Sequence, residues 1–473
     1  MPVEIENFVK GGGGMLYRRL YETLLKWKSG RTNARKAICL AGARQTGKTT
    51  LIREFAKENY ECFVEINFVT DRDAAKIFSG ALDADTLTAN LTAYARTPMP
   101  AGKTLVFLDE IQECPEARTA IKFLVEDGRY DYAESGLLLG IRHKNVKSYP
   151  VGYEEIYRMY PMDFYEFMLA NGIQDSTLEY LRECFEKRLP VSSSVHSAIC
   201  RLYYAWIVVG GMPEAVQRYV DRHDIAEVIG YQKDIIEQYR LDISKYAEGS
   251  GKPKIRAVFD RLPSQLGDKN RRFFVTSIDK NARLQNYEES FKWLEEAGVA
   301  LPCRNVSQPV SPLSLNEKHS LFKLYMNDTG LLCASCLDNV QFALLNGDMG
   351  INLGSILENA VAQQLKTNGF TLNYFDSKQH GETDFVLQNG NNILPVEVKS
   401  GNDYKKHRAL DNLLGVEAWN LKQAYVLCKD NLHTEGKICY LPWYMSVFIR
   451  PPQLPDKFIY SVDLNPLRQR NKK

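Results

Sequence analysis

The 473-residue chain reads as an α/β protein of three units, and three features of its pattern say so. From Leu16 to about Glu186, short apolar runs alternate with helical stretches. That is the pattern of buried parallel strands joined by crossover helices. From about Pro190 to Val340 the periodicity is mostly helical, and from about Ile351 a helix leads into several strands. The expected units are 15–188, a helical, winged-helix-like 189–340, and an α/β unit 341–473, after a flexible leader 1–14. A chain of this length exceeds what one hydrophobic core usually supports.

The elements follow in order. Gly11–Gly14 closes the leader and carries no fold information. Ala37–Ala41, Cys62–Phe68 and Thr104–Leu108 are the expected strands of the first unit. In the middle unit, Tyr287–Gly298 has helix-period apolar residues and ends in Gly, and the extended Val299–Val306 follows. A helix followed by a short hairpin is the winged-helix-like feature. In the last unit the helix Ser355–Thr367 precedes strands Phe370–Phe375, Thr383–Leu387 and Leu394–Lys399. The sequence carries no internal repeat.

Bulk properties bound the function only loosely. Sixty basic residues against fifty-eight acidic ones leave a net charge of +2, so overall charge favours no partner. No run of about 18 apolar residues occurs, which predicts no membrane span. Met1–Lys10 holds two acids and no apolar core, unlike a secretory signal. Ten sparse cysteines suit reduced thiols in a cytoplasmic protein. Cys333 and Cys336 form a CxxC without a second ligand pair, so packing thiols are expected there and not a zinc site.

Gly42-Ala43-Arg44-Gln45-Thr46-Gly47-Lys48-Thr49 fits the P-loop pattern, with a strand running in and a helix-like stretch, Thr50–Lys57, running out. Glycines let the backbone turn its N–H groups onto phosphate oxygens, and the helix N-terminus adds a favourable dipole. Residues 42–50 are therefore the candidate ATP-binding set, ending at Thr50. Lys48 is expected to neutralise the β/γ-phosphates and Thr49 to ligate Mg²⁺. Thr104–Leu108 ends in Asp109-Glu110, a Walker B-like pair. Asp109 would hold Mg²⁺, and Glu110 would orient or deprotonate the attacking water. A plain cap for the following helix is the competing reading of these acids.

With Leu108-Asp109-Glu110-Ile-Gln, the loop resembles the prokaryotic AAA-type ATPases that carry a C-terminal domain long catalogued as of unknown function. Tyr160-Pro-Met-Asp-Phe-Tyr-Glu-Phe167, Gly210-Gly-Met-Pro-Glu214 and Phe322-Lys-Leu-Tyr-Met-Asn-Asp328-Thr-Gly-Leu331 resemble further segments of that family, in order. The resemblance implies ATP, Mg²⁺ and a homo-oligomer. It also implies a polar sensor residue after the next strand, where Ser135 follows the weakly apolar Tyr130-Asp-Tyr-Ala, and an arginine finger, for which Arg142 and Arg158 are both candidates.

In the last unit, alternation places Glu397 and Lys399 on one side of a strand and Val396 and Val398 on the other. Asp384 and Glu397 can then share a divalent ion, with Glu358 reaching in from the helix and Lys399 supplying positive charge to a scissile phosphate. The set Glu358, Asp384, Glu397-x-Lys399 resembles the PD-(D/E)xK nucleases, which implies a restriction-endonuclease-like fold. That fold also serves binding alone. Between Gly251 and Arg283, nine basic residues (Lys252, Lys254, Arg256, Arg261, Lys269, Arg271, Arg272, Lys280, Arg283) face only Asp260, Asp268 and Asp279. The tail adds Arg468, Arg470, Lys472 and Lys473. Such a patch is either a footprint for nucleic acid, DNA before RNA, or a solvated face. Two functions remain open: an ATP-regulated, DNA-associated enzyme, or a nucleotide-dependent switch whose last unit only recruits a partner. A small-molecule kinase would leave the last unit unexplained.

Overall fold

A computed structural model of the chain describes residues 15–30, 36–137, 149–246, 251–267, 272–336, 340–346, 353–453 and 458–462. The first unit runs α1 (Leu20–Ser29), β1 (Ala37–Ala41), α2 (Lys48–Asn59), β2 (Cys62–Asn67), α3 (Ala84–Ala95), β3 (Thr104–Asp109), α4 (Pro115–Asp127), β4 (Asp131–Gly136) and β5 (Glu154–Arg158). All five strands are parallel, in the order β2-β3-β4-β1-β5. β1 and β3 are buried along their whole length, as strands covered by helices on both faces must be. α4 opens with Pro115 at its first turn and stops at Gly128, whose φ of 71° a residue with a side chain would resist.

β4 is the strand that looked too polar to be one. Its sequence, Asp-Tyr-Ala-Glu-Ser-Gly, is buried throughout. Asp131, Glu134 and Ser135 each have a partner on another element, while the buried Tyr132 hydroxyl has none among the described residues. Asp131 accepts from the Tyr60 hydroxyl at 2.8 Å, Glu134 is paired with Arg118, and Ser135 donates to Asp109. Buried polar groups persist where they are hydrogen-bonded.

The middle is helical: α5 (Phe164–Ala170), α6 (Asp175–Lys187), α7 (Ser193–Val209), α8 (Pro213–Arg222), α9 (Ile225–Tyr246), α10 (Gly251–Gly267) and α11 (Glu288–Glu296). Asp163 and Glu166 form a capping box that starts α5. After α11 come β6 (Ala300–Val306) and β7 (Glu317–Met326), an antiparallel pair, then α12 (Thr329–Cys336), α13 (Val340–Leu345) and α14 (Gly354–Thr367). The last strands are β8 (Asn373–Ser377), β9 (Gly381–Thr383), β10 (Phe385–Asn389), β11 (Asn392–Val398), then α15 (Arg408–Leu414), β12 (Ala424–Cys428), β13 (His433–Glu435) and β14 (Ile438–Pro442).

These strands make two mixed sheets, β7-β6-β8-β9 and β10-β11-β12-β14-β13. The hairpin expected to be winged-helix-like is thus half of a larger sheet, because β8 pairs in parallel with the other edge of β6. The expected strand Thr383–Leu387 is broken at Asp384. Its two halves belong to different sheets, and the Asp384 carboxylate accepts the Val398 amide at 2.8 Å where the chain crosses.

One buried knot joins two of the sequence segments. Asp328 accepts the amides of Gly211 at 2.6 Å and Leu331 at 2.9 Å. A Cβ on Gly211 would lie 2.1 Å from the Met162 carbonyl oxygen, so only glycine fits. All ten cysteines are free; Cys333 donates to the Ile207 carbonyl and Cys336 to the Leu332 carbonyl. Among the described residues no helix is long and apolar enough to cross a membrane.

Candidate nucleotide-binding site and a second carboxylate cluster

The loop after β1 turns as the sequence predicts. Gly42 passes so close to β5 that a Cβ would stand 2.3 Å from the Met159 carbonyl oxygen, and Gly47 takes a φ of 90°. α2 begins at Lys48, so the amides of Lys48, Thr49 and Thr50 are those a helix leaves without an internal acceptor. Thr46 donates to the Ala43 carbonyl at 3.0 Å and braces the turn. Lys48 lies back across the loop, donating to the carbonyls of Gly42 at 3.0 Å and Ala43 at 2.8 Å. Burial pushes its ammonium down to about 8, against the charges of Glu110 and Asp109.

Asp109 is the hub of this site. The Thr49 hydroxyl donates to its two oxygens at 3.2 and 3.1 Å, Asn67 donates at 2.9 Å, and Ser135 donates from β4. A hydroxyl beside a carboxylate is an oxygen donor set that fits Mg²⁺, so Thr49 and Asp109 are the residues that would hold it. Glu110 sits in the left-handed region, with a φ of 54°, and accepts from Gln112. Lys48, Thr49, Asp109, Glu110 and Ser135 thus converge. Asn67, unnoticed in the sequence, reaches the site because β2 pairs it directly with Asp109.

Arg44 and Gln45 point the other way, into the helical middle. Arg44 is paired with Asp242 of α9 at 2.9 Å, and its carbonyl accepts from Tyr239 at 3.3 Å. Gln45 accepts from Tyr231 at 2.7 Å and donates to Gln238. Arg18, a second residue the sequence did not single out, is buried beneath the loop and donates to the carbonyls of Thr46 and Tyr160, both at 2.6 Å. Gly298, at the turn into β6, seats against the Ala43 amide. Arg158 lines a groove with Gly42, Ala43, Glu295 and Lys366, on the β5 side of the loop. Arg142 lies outside the described residues.

The C-terminal residues also gather, around a group that was not expected there. Lys323 of β7 has a side chain 0% exposed. Its ammonium lies 2.9 Å from Glu358, 2.7 Å from Glu382 and 3.9 Å from Asp384. Glu358 also accepts from Tyr325. Glu397 and Lys399 share a side as expected, 2.8 Å apart. Burial first, then the charge of Asp384, pushes the Glu397 carboxyl up to about 7. Its second oxygen is buried without a hydrogen-bond partner, which fits an ion shared with Asp384. Oxygens of Glu358, Asp384 and Glu397 do not close on one point. Among the described residues the set within 4.8 Å is Cys39, Glu134 and Glu154, where Arg118 already pairs with both acids.

The basic run is partly engaged in contacts within the chain, most of them at its surface. Arg256 pairs with Asp260, Arg272 with Asp376, and Lys252 and Lys254 donate to the carbonyls of Ser244 and Asn286. Lys269, Arg271, Asp268 and the tail residues Arg468, Arg470, Lys472 and Lys473 lie outside the described residues.

A parallel sheet with a phosphate-type loop after β1, a metal-type carboxylate ending β3 and a hydroxyl from β4 give the first unit a P-loop ATPase-like fold. In keeping with that, residues 34–168 match a family described as "AAA domain". Residues 200–341 and 353–444 match two families described as domains of unknown function, DUF8612 and DUF4143. No curated protein matches. Similar solved structures include the Walker-type ATPase PABY2304 of Pyrococcus abyssi, with 13% identity, a TM-score of 0.38 and coverage of 68% of this chain and 96% of that one. The Aeropyrum pernix ORC1 protein in complex with DNA follows, with 13% identity, a TM-score of 0.23 and coverage of 73% and 92%. Cdc6p from Pyrobaculum aerophilum has 11% identity, a TM-score of 0.25 and coverage of 73% and 99%. Such distant likenesses say nothing of what this chain binds.

Proposed function

We propose that the chain is a Mg²⁺-dependent ATPase whose nucleotide state is passed through α9 to a nuclease-like C-terminal unit that engages DNA. The observation that carries this is the direct grip of α9 on the loop through Asp242, Tyr231, Gln238 and Tyr239. When phosphate arrives, Lys48 must leave the carbonyls of Gly42 and Ala43, and the loop cannot rearrange without moving what holds Arg44 and Gln45. Bound Mg²⁺, held by Thr49 and Asp109, would supply charge neutralisation. Glu110 would orient a water and take its proton once released from Gln112.

The test is ATP turnover with Mg²⁺, with and without double- and single-stranded DNA. Turnover that DNA changes, and that loses this response in Asp242→Ala, supports the coupling. A protein that binds no ATP at millimolar concentration overturns the reading. A second reading, a slow switch whose last unit binds without cutting, has support of its own. Glu110 is engaged by Gln112, and Arg158 lies on the β5 side of the loop, away from Asp109 on β3. Saturable ATP binding with turnover below about one per minute, and no DNA cleavage, would favour it.

A further inference from the structure

The C-terminal cluster holds four acids, and they are not equivalent. Glu358 projects from α14, Glu382 from β9, Asp384 from the crossing between sheets and Glu397 from β11. A buried ammonium needs carboxylates around it, and Lys323 takes them from three of these places. Tyr374 adds a ring face 5.1 Å from the ammonium. One oxygen of Glu358 already receives both Lys323 and the Tyr325 hydroxyl. Those donors take up lone pairs that a divalent ion would use.

Glu358 is further fixed by its helix. Its neighbours on α14 are spent on the fold: Asn359 accepts the Met326 amide at 2.8 Å and Gln363 the Thr329 amide at 2.9 Å. A shift of α14 toward Asp384 would break both. Asp384 and Glu397 are placed differently: they lie at one end of the β10–β11 hairpin, where Phe385 pairs with Val396, and the ammonium on Glu397 is that of the part-exposed Lys399, not a fully buried one.

We propose that Lys323 is a resident cation that withdraws Glu358 from the ligand set, so that the cluster takes up one divalent ion, on Asp384 and Glu397, and not two. Lys323 is then a positioning residue: fully buried, it touches neither substrate nor metal. The inference rests on the nuclease-like reading for there being a metal at all.

Mn²⁺ binding to the full chain, without nucleotide and in an Asp109→Asn background that removes the loop site, tests it. Stoichiometry and affinity are read by titration calorimetry and by the electron paramagnetic resonance of free Mn²⁺. The expected result is one Mn²⁺ per chain, with affinity at least tenfold weaker after Asp384→Asn or Glu397→Gln and within threefold of the parent after Glu358→Gln. Two ions lost together on Asp384→Asn overturn the inference. So does a loss on Glu358→Gln as complete as on Asp384→Asn; in both cases the metal-site reading stands. No Mn²⁺ bound at this cluster overturns both. Should Glu358→Gln fail to fold, the stoichiometry decides alone.

Discussion

Two lysines lie among carboxylates in this molecule, and they are held in opposite ways. Lys48 rests on two backbone carbonyls at the mouth of a loop, with its acids, Asp109 and Glu110, near but not in contact by any described ion pair. Lys323 is locked against Glu358 and Glu382 with no exposed surface. The first is an ammonium kept in readiness, held by carbonyls with its acids at a distance. The second already has its anions. The difference separates a lysine kept for a ligand from one kept for the fold, and sequence alone does not distinguish them.

The largest effect expected from this contrast is on stability. Lys323→Met leaves Glu358 without its cation in the interior, and losing one partner of a buried pair costs about 3–5 kcal/mol. Urea unfolding measures it. A loss below about 1 kcal/mol would erase the contrast. Lys48→Ala goes the other way: removing a charge that burial disfavours leaves the protein no less stable near pH 7, while ATP binding weakens roughly 10- to 100-fold, the worth of a charge-assisted contact. Glu110→Gln should retain ATP binding and slow turnover by roughly 10²–10⁴. Near-normal turnover would remove Glu110 from its role.

A pH series sharpens the same comparison. The Lys48 ammonium lies near 8 in the folded protein against 10.5 for an ordinary lysine, so between those values the unfolded chain binds more protons. Stability therefore gains with rising pH across 8 to 10.5 and is lowest on this account below 8. Binding of a triphosphate needs the charged form. ATP affinity should fall above pH 8, and binding near pH 8.5 should take up a proton, seen by calorimetry in buffers of different ionisation heat. Binding without proton uptake there would mean the lysine stays charged. The smallest effect belongs to Asp242→Ala, a partly buried pair with Arg44 worth about 1 kcal/mol, read as a few-fold change in ATP affinity.

Local pattern made some of this legible and three-dimensional pairing hid the rest. β1 and β3 could be read because a strand covered on both faces is apolar at every position. The loop could be read because phosphate binding restricts its residue types. β4 could not, since its interior Glu134 and Ser135 are tolerated only by Arg118 and Asp109, which are distant in sequence. Asn67 depends on strand register, and Tyr231, Tyr239 and Asp242 on how a helix crosses a loop nearly 200 residues away. Lys323 left a trace, a lone lysine inside the apolar run Leu321–Met326, whose meaning required knowing that α14 lies behind it. The Lys323 ammonium, 2.9 Å from Glu358 and 3.9 Å from Asp384, could not be read from the spacing of those acids along the chain.

The parallel pairing of β6 with β8 has a practical corollary. Expressing the last unit by starting near residue 341 would strip β8 of the neighbour at Arg304–Val306 and leave a raw row of amides and carbonyls. Unguarded edges of that kind recruit strands from other molecules. A truncated product would therefore be prone to precipitate or swap strands. One beginning before α11 keeps that edge closed.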